Sequence, residues 1–338
     1  MIQISFVIPT LNAQKVLDTC LKSIVKQNFP RQNYEILIID GGSIDKTLSI
    51  AKKYHSKILK NPLKTAEAGK AIGVRHALGK YICLVDSDNI LPNKNWLNQM
   101  LIPFKQDQKI IGSEPIEFTY RPRSGTIERY SALIGANDPY AFITGVSDRK
   151  NYLDNKWTHL KIDEIDNSQY ILVELKPNTL IPTIGANGTI FRTDFIKKNL
   201  NSDYLFDIDI ISQVIRETKK TIFFAKVKVG IIHTFCESSI SKFIHKQHRR
   251  LVDYYSYQHL RQYNWRPINQ KSQLKFIFYT ILIFPAFFDS IKGFIKKPDL
   301  VWFLHPLFCL TTLFVYTSTT IKFKLGLLKP INRNLWQQ

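Results

Sequence analysis

The apolar positions in the first third of the chain fall in short unbroken runs separated by stretches of helical spacing. Residues 4–8 are continuously apolar and rich in β-branched side chains, and Pro9-Thr10-Leu11-Asn12 closes them, which predicts a buried strand and its loop. Residues 13–27 then place Val16, Leu17, Cys20, Leu21, Ile24 and Val25 on one helical stripe. A second buried strand at 34–39 ends at Asp40-Gly41-Gly42-Ser43-Ile44-Asp45. There the paired glycines allow turns that other residues resist, and Ser43 can cap a helix reaching about residue 54. A short strand at 58–59, a helix over 66–78 carrying Lys70 and Arg75, and a strand at 81–85 follow; a helix over 95–104 and a strand over 110–118 come next. Strand and helix alternating at this spacing imply right-handed crossovers, hence an α/β fold with a mainly parallel sheet.

The strand at 81–85 brings acids to its own end, Asp86-Ser87-Asp88, and Pro92 prevents it from running on through a sheet interior. Open parallel sheets bind ligands outside the carboxyl ends of their strands. On an extended chain the two carboxylates would face opposite sides, but a turn at Ser87 lets both approach one ligand set. Such hard oxygens suit Mg²⁺ or Mn²⁺ carrying a diphosphate. A dinucleotide-binding fold is excluded, because it needs G-x-G-x-x-G where this chain has Pro9 to Asn12. A nucleotidyltransferase would need a glycine-rich basic loop at the same place.

Periodicity gives no role to residues 120–180. Residues 182–192 form a loop with Gly185, Asn187 and Gly188 ahead of an apolar pair, permitting close backbone approach to a ligand. Asp207-Ile208-Asp209 opens a helix reaching about residue 218, and His233 follows an apolar strand at 227–232. Further on stands Gln247-His248-Arg249-Arg250-Leu251.

In their order, VIPTLN, IIDGGSID and AGKAIGVRHALGKYICLVDSDN resemble the nucleotide-binding half of the family 2 glycosyltransferases, which have the GT-A fold. The resemblance covers residues 1–115 and implies a mixed, mainly parallel sheet with flanking helices. It implies an inverting, metal-dependent enzyme acting on a nucleotide-sugar donor. By it, Pro9, Thr10, Asn12 and Asp40 surround the base and ribose, Asp86 lies near the ribose, and Asp88 holds Mg²⁺ or Mn²⁺. Lys70 and Arg75 are candidates for the diphosphate; five apart on a helix, they do not share a face. Gly185 and Asn187 lie beneath donor sugar and acceptor, and His233 completes the metal shell. The general base of the family is usually the second residue of a Glu-Asp pair, whereas this chain has Asp-Ile-Asp. Both Asp207 and Asp209 stay open, with Asp209 favoured for its anchoring Ile-Ile run. Gln247 to Leu251 is similar to a Gln-x-x-Arg-Trp signature with Leu for Trp, leaving Arg249 or Arg250 to reach a phosphate. Residues 1–240 are then the catalytic domain, with 116–240 its acceptor half. The rival reading is a scaffold of the same fold that binds nucleotide sugar without turning it over.

Charge changes the picture at the other end. The 338 residues carry 47 Lys and Arg against 27 Asp and Glu, a net +20, and residues 242–338 hold fifteen basic against three acidic residues. Such asymmetry calls for an anionic partner. Nucleic acid is set aside, because 241–265 is also aromatic, with Tyr254, Tyr255, Tyr257, Tyr263 and Trp265, as in a helix lying at a membrane interface. Residues 276–288 are too short to span, 300–321 are long enough, and a hairpin of the two would put Lys292, Lys296 and Lys297 outside. The expectation is therefore a helical, membrane-associated tail, 241–338, dipping into the cytoplasmic leaflet and serving a glycan or lipid-linked acceptor. Oligomeric state stays open. Cys20, Cys83, Cys236 and Cys309 have no metal or redox spacing and, with an N-terminus that enters a strand at once, suggest a cytoplasmic catalytic part.

Overall fold

The computed structural model describes residues 2–260, 270–329 and 331. Its strands are β1 (Ile4–Thr10), β2 (Tyr34–Asp40), β3 (Lys57–Lys60), β4 (Tyr81–Leu84), β5 (Asn89–Ile90), β6 (Ile110–Phe118), β7 (Asp163–Asn167), β8 (Tyr170–Leu175), β9 (Thr189–Arg192) and β10 (Ile222–His233). They form one sheet in the order β3-β2-β1-β4-β9-β6-β10-β8-β7, with β5 added to the end of β10. Neighbours β3, β2, β1 and β4 are parallel, as are β6 and β10, while β9 runs antiparallel between β4 and β6. The sheet is thus mixed and mainly parallel. Thr10 lies beside Asp40 in register, so the carboxyl ends of β1 and β2 reach the same edge.

Helices α1 (Leu17–Val25), α2 (Thr47–Lys53), α3 (Ala66–His76) and α4 (Trp96–Gln106) alternate with these strands. The strands are covered on both faces, which is why they read as continuous apolar runs. Phe6, Ile8, Ile36 and Ile38 pack with α1 and with Trp96 and Met100 of α4, while Val7, Leu37 and Ile39 point the other way onto α3. Helices α7 (Thr193–Lys198) and α8 (Asp207–Thr218) extend that second layer through Ile196, Ile210 and Val214.

The irregular stretch after residue 120 contains α5 (Thr126–Ile134), α6 (Pro139–Thr144) and the β7–β8 hairpin. Its first part builds a third core with the tail. Tyr130, Leu133, Phe142 and Phe243 pack there with Trp302 and Phe308, joining α5, α6 and α9 (Ile240–Tyr257) to the later helices. These are α10 (Gln270–Leu282), α11 (Phe284–Lys296), a 3₁₀ turn Leu300–Leu304, and α12 (His305–Lys324). The aromatic stretch predicted over 241–265 is α9 as far as Tyr257; Tyr263 and Trp265 lie outside the described residues. The apolar run at 276–288 is broken at Ile283, which sits at φ 60°. Pro285, with no N–H and a fixed φ, suits the first turn of a new helix and not the inside of a longer one.

Candidate active site

The turn after β4 lies on the carboxyl edge of the sheet. Asp86 N–H donates to Asn89 Oδ1 (3.1 Å) and Asn89 N–H to the Asp86 carbonyl (2.9 Å), so Asn89 closes the turn that separates the two acids. The Asn89 side chain, fully buried, also donates to Asn187 Oδ1 at 3.0 Å. One asparagine thereby ties the Asp86–Asp88 turn to the glycine-bracketed loop from the second half of the chain.

Asp88 is buried and faces two basic groups. His233 Nε2 is 3.4 Å from its Oδ1 and Lys246 Nζ is 3.4 Å from its Oδ2. Burial works against its charge, but His233 and Lys246 outweigh this and hold the carboxyl well below the usual range. Lys246 comes from α9, and a strained turn aims that helix at the site. Cys236 and Glu237, between β10 and α9, take φ of 56° and 49°, a conformation costing about 1–2 kcal/mol for each residue with a side chain. The Glu237 carbonyl offsets this by accepting from the N–H groups of Ile127 and Glu128, at 2.8 and 3.1 Å, in the first turn of α5.

Asp86 is half-buried. Desolvation pushes its carboxyl up, Lys70 opposes this, and the charges of Asp88 and Asp207 add to it. Lys70 is buried in α3 and pairs with Asp207 Oδ1 at 2.9 Å. Burial disfavours its ammonium, yet Asp207, Asp86 and Glu67 together raise its pKa. Asp207, Lys70, Asp86, Asp88, His233 and Lys246 therefore form one cluster of acids and bases, drawn from the turn after β4 and from α3, α8, β10 and α9. Gly185 borders it: a Cβ there would stand 3.4 Å from Asp207 Oδ2.

The remaining sequence candidates divide. Thr10 donates to Asp40 Oδ1 (3.0 Å), and Gly42 and Ser43 N–H groups donate to Oδ2 (2.9 and 2.8 Å). Ser43 in turn accepts from the Asn12 N–H, while Asn12 Oδ1 accepts from the Ile44 N–H. Asp40 and Asn12 thus knit the loops after β1 and β2 into one rim, and the Pro9 ring rests against Gly69 of α3. Arg75 is not brought to the acids. It is half-exposed and bound to Ser202 O (2.6 Å) and Asp203 (3.0 Å), because it stands five residues from Lys70 on α3 and so leaves the helix on another side. Arg250 is likewise held by Asp138 (3.2 Å) over the Phe235 ring, and Gln247 is buried against the Asn137 carbonyl. The structure places the two candidate bases, Asp207 and Asp209, differently. Asp209 is 4% exposed and among the core of α8, whereas Asp207, two residues earlier, is the one that meets Lys70 and Gly185.

Sequence reading missed a second charged group beneath the loop. Glu114, Arg149 and Lys226 are buried, and Glu114 pairs with both bases, with Lys226 Nζ at 2.5 Å. Lys226 also donates to the Asp148 carbonyl, and Arg149 donates to the Asn187 carbonyl at 3.2 Å. Burial pushes the Asp148 carboxyl up to about 7, with Arg149 opposing and Glu114 adding to the rise. The available signal was a charge in the middle of each of two mainly apolar strands, Glu114 in β6 and Lys226 in β10.

Among the described residues no cluster of three His, Cys, Asp or Glu side chains could cage a cation alone. Asp88 Oδ1 and His233 Nε2 are nonetheless close enough for one ion to bridge, and the buried His233 Nδ1 has no hydrogen-bond partner among the described residues. A carboxylate oxygen and an imidazole nitrogen fit Mn²⁺ or Mg²⁺ that takes its other ligands from phosphate oxygens and water.

The architecture is that of the GT-A glycosyltransferases. The mannosyltransferase PcManGT from Pyrobaculum calidifontis, solved with GDP-Man and Mn²⁺, superposes with a TM-score of 0.50 over 92% of this chain and 86% of that one. At 12% identity this likeness speaks to the fold alone. The chain belongs to glycosyl transferase family 2, whose family model, described as "Glycosyl transferase family 2", matches residues 5–198. Poly(ribitol-phosphate) beta-N-acetylglucosaminyltransferase TarS of Staphylococcus aureus is 35% identical over 103 residues, 29% of this chain and 18% of that protein. A dolichyl N-acetyl-alpha-D-glucosaminyl phosphate 3-beta-D-2,3-diacetamido-2,3-dideoxy-beta-D-glucuronosyltransferase of Methanococcus voltae is 32% identical over 113 residues, 31% of this chain and 35% of that one. The chain thus spans well under half the length of these relatives.

Proposed function

We propose that this chain transfers a sugar, with inversion, from a nucleotide-sugar donor to a hydroxyl of a glycan or lipid-linked acceptor. It would do so at the cytoplasmic face of a membrane to which its C-terminal region attaches. The observation that carries the reading is the convergence of Asp86, Asp88, Lys70, Asp207 and His233, from the turn after β4 and from α3, α8 and β10, onto one edge of the sheet. The rim built on Thr10, Asn12 and Asp40 supplies backbone and carboxylate for the base and ribose, with Asp86 beside them. Asp88 and His233 would hold Mg²⁺ or Mn²⁺, which when bound offsets charge on the departing diphosphate.

Asp207 is the general base. As the acceptor oxygen attacks the anomeric carbon, the bond to the diphosphate breaks on the opposite face and its electron pair leaves with the diphosphate; the hydroxyl proton passes to Asp207. Lys70 stands between Asp207 and Asp86, where its fixed positive charge orients the base and faces the phosphate side of the site. Gly185 keeps side-chain bulk away from the carboxylate at which the acceptor must arrive.

Thermal stabilisation by a panel of UDP, GDP and dTDP sugars with Mn²⁺, followed by product analysis, tests this reading. One donor should stabilise the chain, lose its effect on chelation or in Asp88→Ala, and be consumed. Stabilisation by none of them refutes the donor assignment, while binding without hydrolysis or transfer points to the non-catalytic scaffold.

A further inference from the structure

Helix α11 is built inside out for a water-soluble surface. Its small residues Ala286, Ser290 and Gly293 face the body, where Gly293 lies so close to the Trp302 ring that a Cβ would stand 2.5 Å from it. Its large residues Phe284, Phe287, Phe288, Ile291 and Ile295 form the opposite stripe, and Phe284 and Ile295 are 72% and 73% exposed. Helix α10 does the same, burying Phe276 and Thr280 and exposing Leu274, Phe278, Ile281 and Leu282. The two helices meet at 82° across Ile283, so both outward stripes end at one apolar corner. Contiguous exposed apolar surface on this scale marks an interaction site.

Charge identifies the occupant. The two acids of this region are each engaged by a tyrosine: half-buried Asp289 accepts from Tyr279 at 2.7 Å, and buried Asp299 accepts from Tyr120 at 2.7 Å. Lys271, Lys275, Lys292 and Lys296 are exposed, so the rim of the corner is basic. An apolar wedge ringed by lysine fits one leaflet of an anionic bilayer, with side chains in the acyl region and ammonium groups at the phosphates. Helix α12 is long enough to cross, but it is fastened along the catalytic body through Phe308, Thr312, Val315 and Thr319, and Tyr316 donates to Gln247 of α9 at 3.2 Å.

We infer that the α10–α11 corner is a wedge that inserts into a single anionic leaflet. This rests on the membrane attachment proposed above and is independent of the transfer chemistry. The test mixes the purified full chain with phosphatidylcholine vesicles, with and without phosphatidylglycerol, and separates bound from free by flotation. Binding should rise by about tenfold with phosphatidylglycerol and fall with salt. The double variant Phe284→Ser, Phe288→Ser should lose about tenfold in partitioning even at high salt, whereas Lys292→Gln, Lys296→Gln should lose only the salt-sensitive part. All variants should keep the wild-type melting temperature and donor stabilisation. Unaltered partitioning of the Phe double variant overturns the wedge. So does a stable dimer that the same variant splits while the wild type ignores vesicles, since the face would then bind a second copy. Loss of donor response in the wild type would strike the proposed function and leave the vesicle result standing.

Discussion

Two carboxylates two residues apart illustrate what a side chain's position on a helix decides. Asp207 is the first residue of α8 and reaches Lys70; Asp209, about 200° further round, is buried. Asp207→Asn should lower turnover by a factor on the order of a hundred while donor binding persists, as loss of a general base does. Asp209→Asn should act on the melting temperature and leave turnover per folded molecule close to wild type; the opposite ranking in single-turnover assays would return the base to Asp209. The charged quartet beneath the loop makes a second prediction. Asp148, with its carboxyl near 7 in the fold against an ordinary 3.8, keeps a proton that the unfolded chain releases. Its contribution to stability is therefore present in acid and lost as pH rises toward 7. Asp148→Asn, which cannot ionise, should gain on the wild type above neutrality relative to mild acid, by on the order of 1 kcal/mol, read by denaturant unfolding at the two pH values.

At the scale of elements, α3 shows how closely the site depends on packing. A Cβ on Gly73 would stand 2.3 Å from Val7 Cγ1 and 2.9 Å from Ile39 Cδ1, so the helix lies directly on β1 and β2. Gly73→Ala should destabilise by about 1–3 kcal/mol and, by lifting α3, weaken the Lys70–Asp207 pair. A lowered melting temperature with a raised donor KM would bear this out; an unchanged melt would contradict it. The turn at Cys236 and Glu237 works in the other direction, spending backbone strain to place Lys246 beside Asp88. No periodicity in the sequence marks that turn, because neither residue is the glycine that usually announces a positive φ.

Across the whole molecule, the tail shares a core with α5 and α6 and is not an appendage. Phe142 and Tyr130 lose their cover when Phe308 and Trp302 are removed, and burying each such ring is worth about 2 kcal/mol. A chain ending at residue 240 should therefore melt lower and associate through the uncovered face, as size-exclusion chromatography would show; a monomer of wild-type stability would refute the shared core. The sequence alone determined the alternating strands and helices of the first 118 residues, the acids at the end of β4, the family and the basic apolar tail. These are local matters of period, turn chemistry and motif order. Which of Asp207 and Asp209 reaches Lys70, that Arg75 pairs with Asp203 and Arg250 with Asp138, and that Glu114, Arg149 and Lys226 meet beneath the loop were decided only in three dimensions. So was the outward turn of the Phe stripe of α11. Each depends on contacts between segments far apart in the chain, and a one-dimensional pattern carries no record of which faces meet.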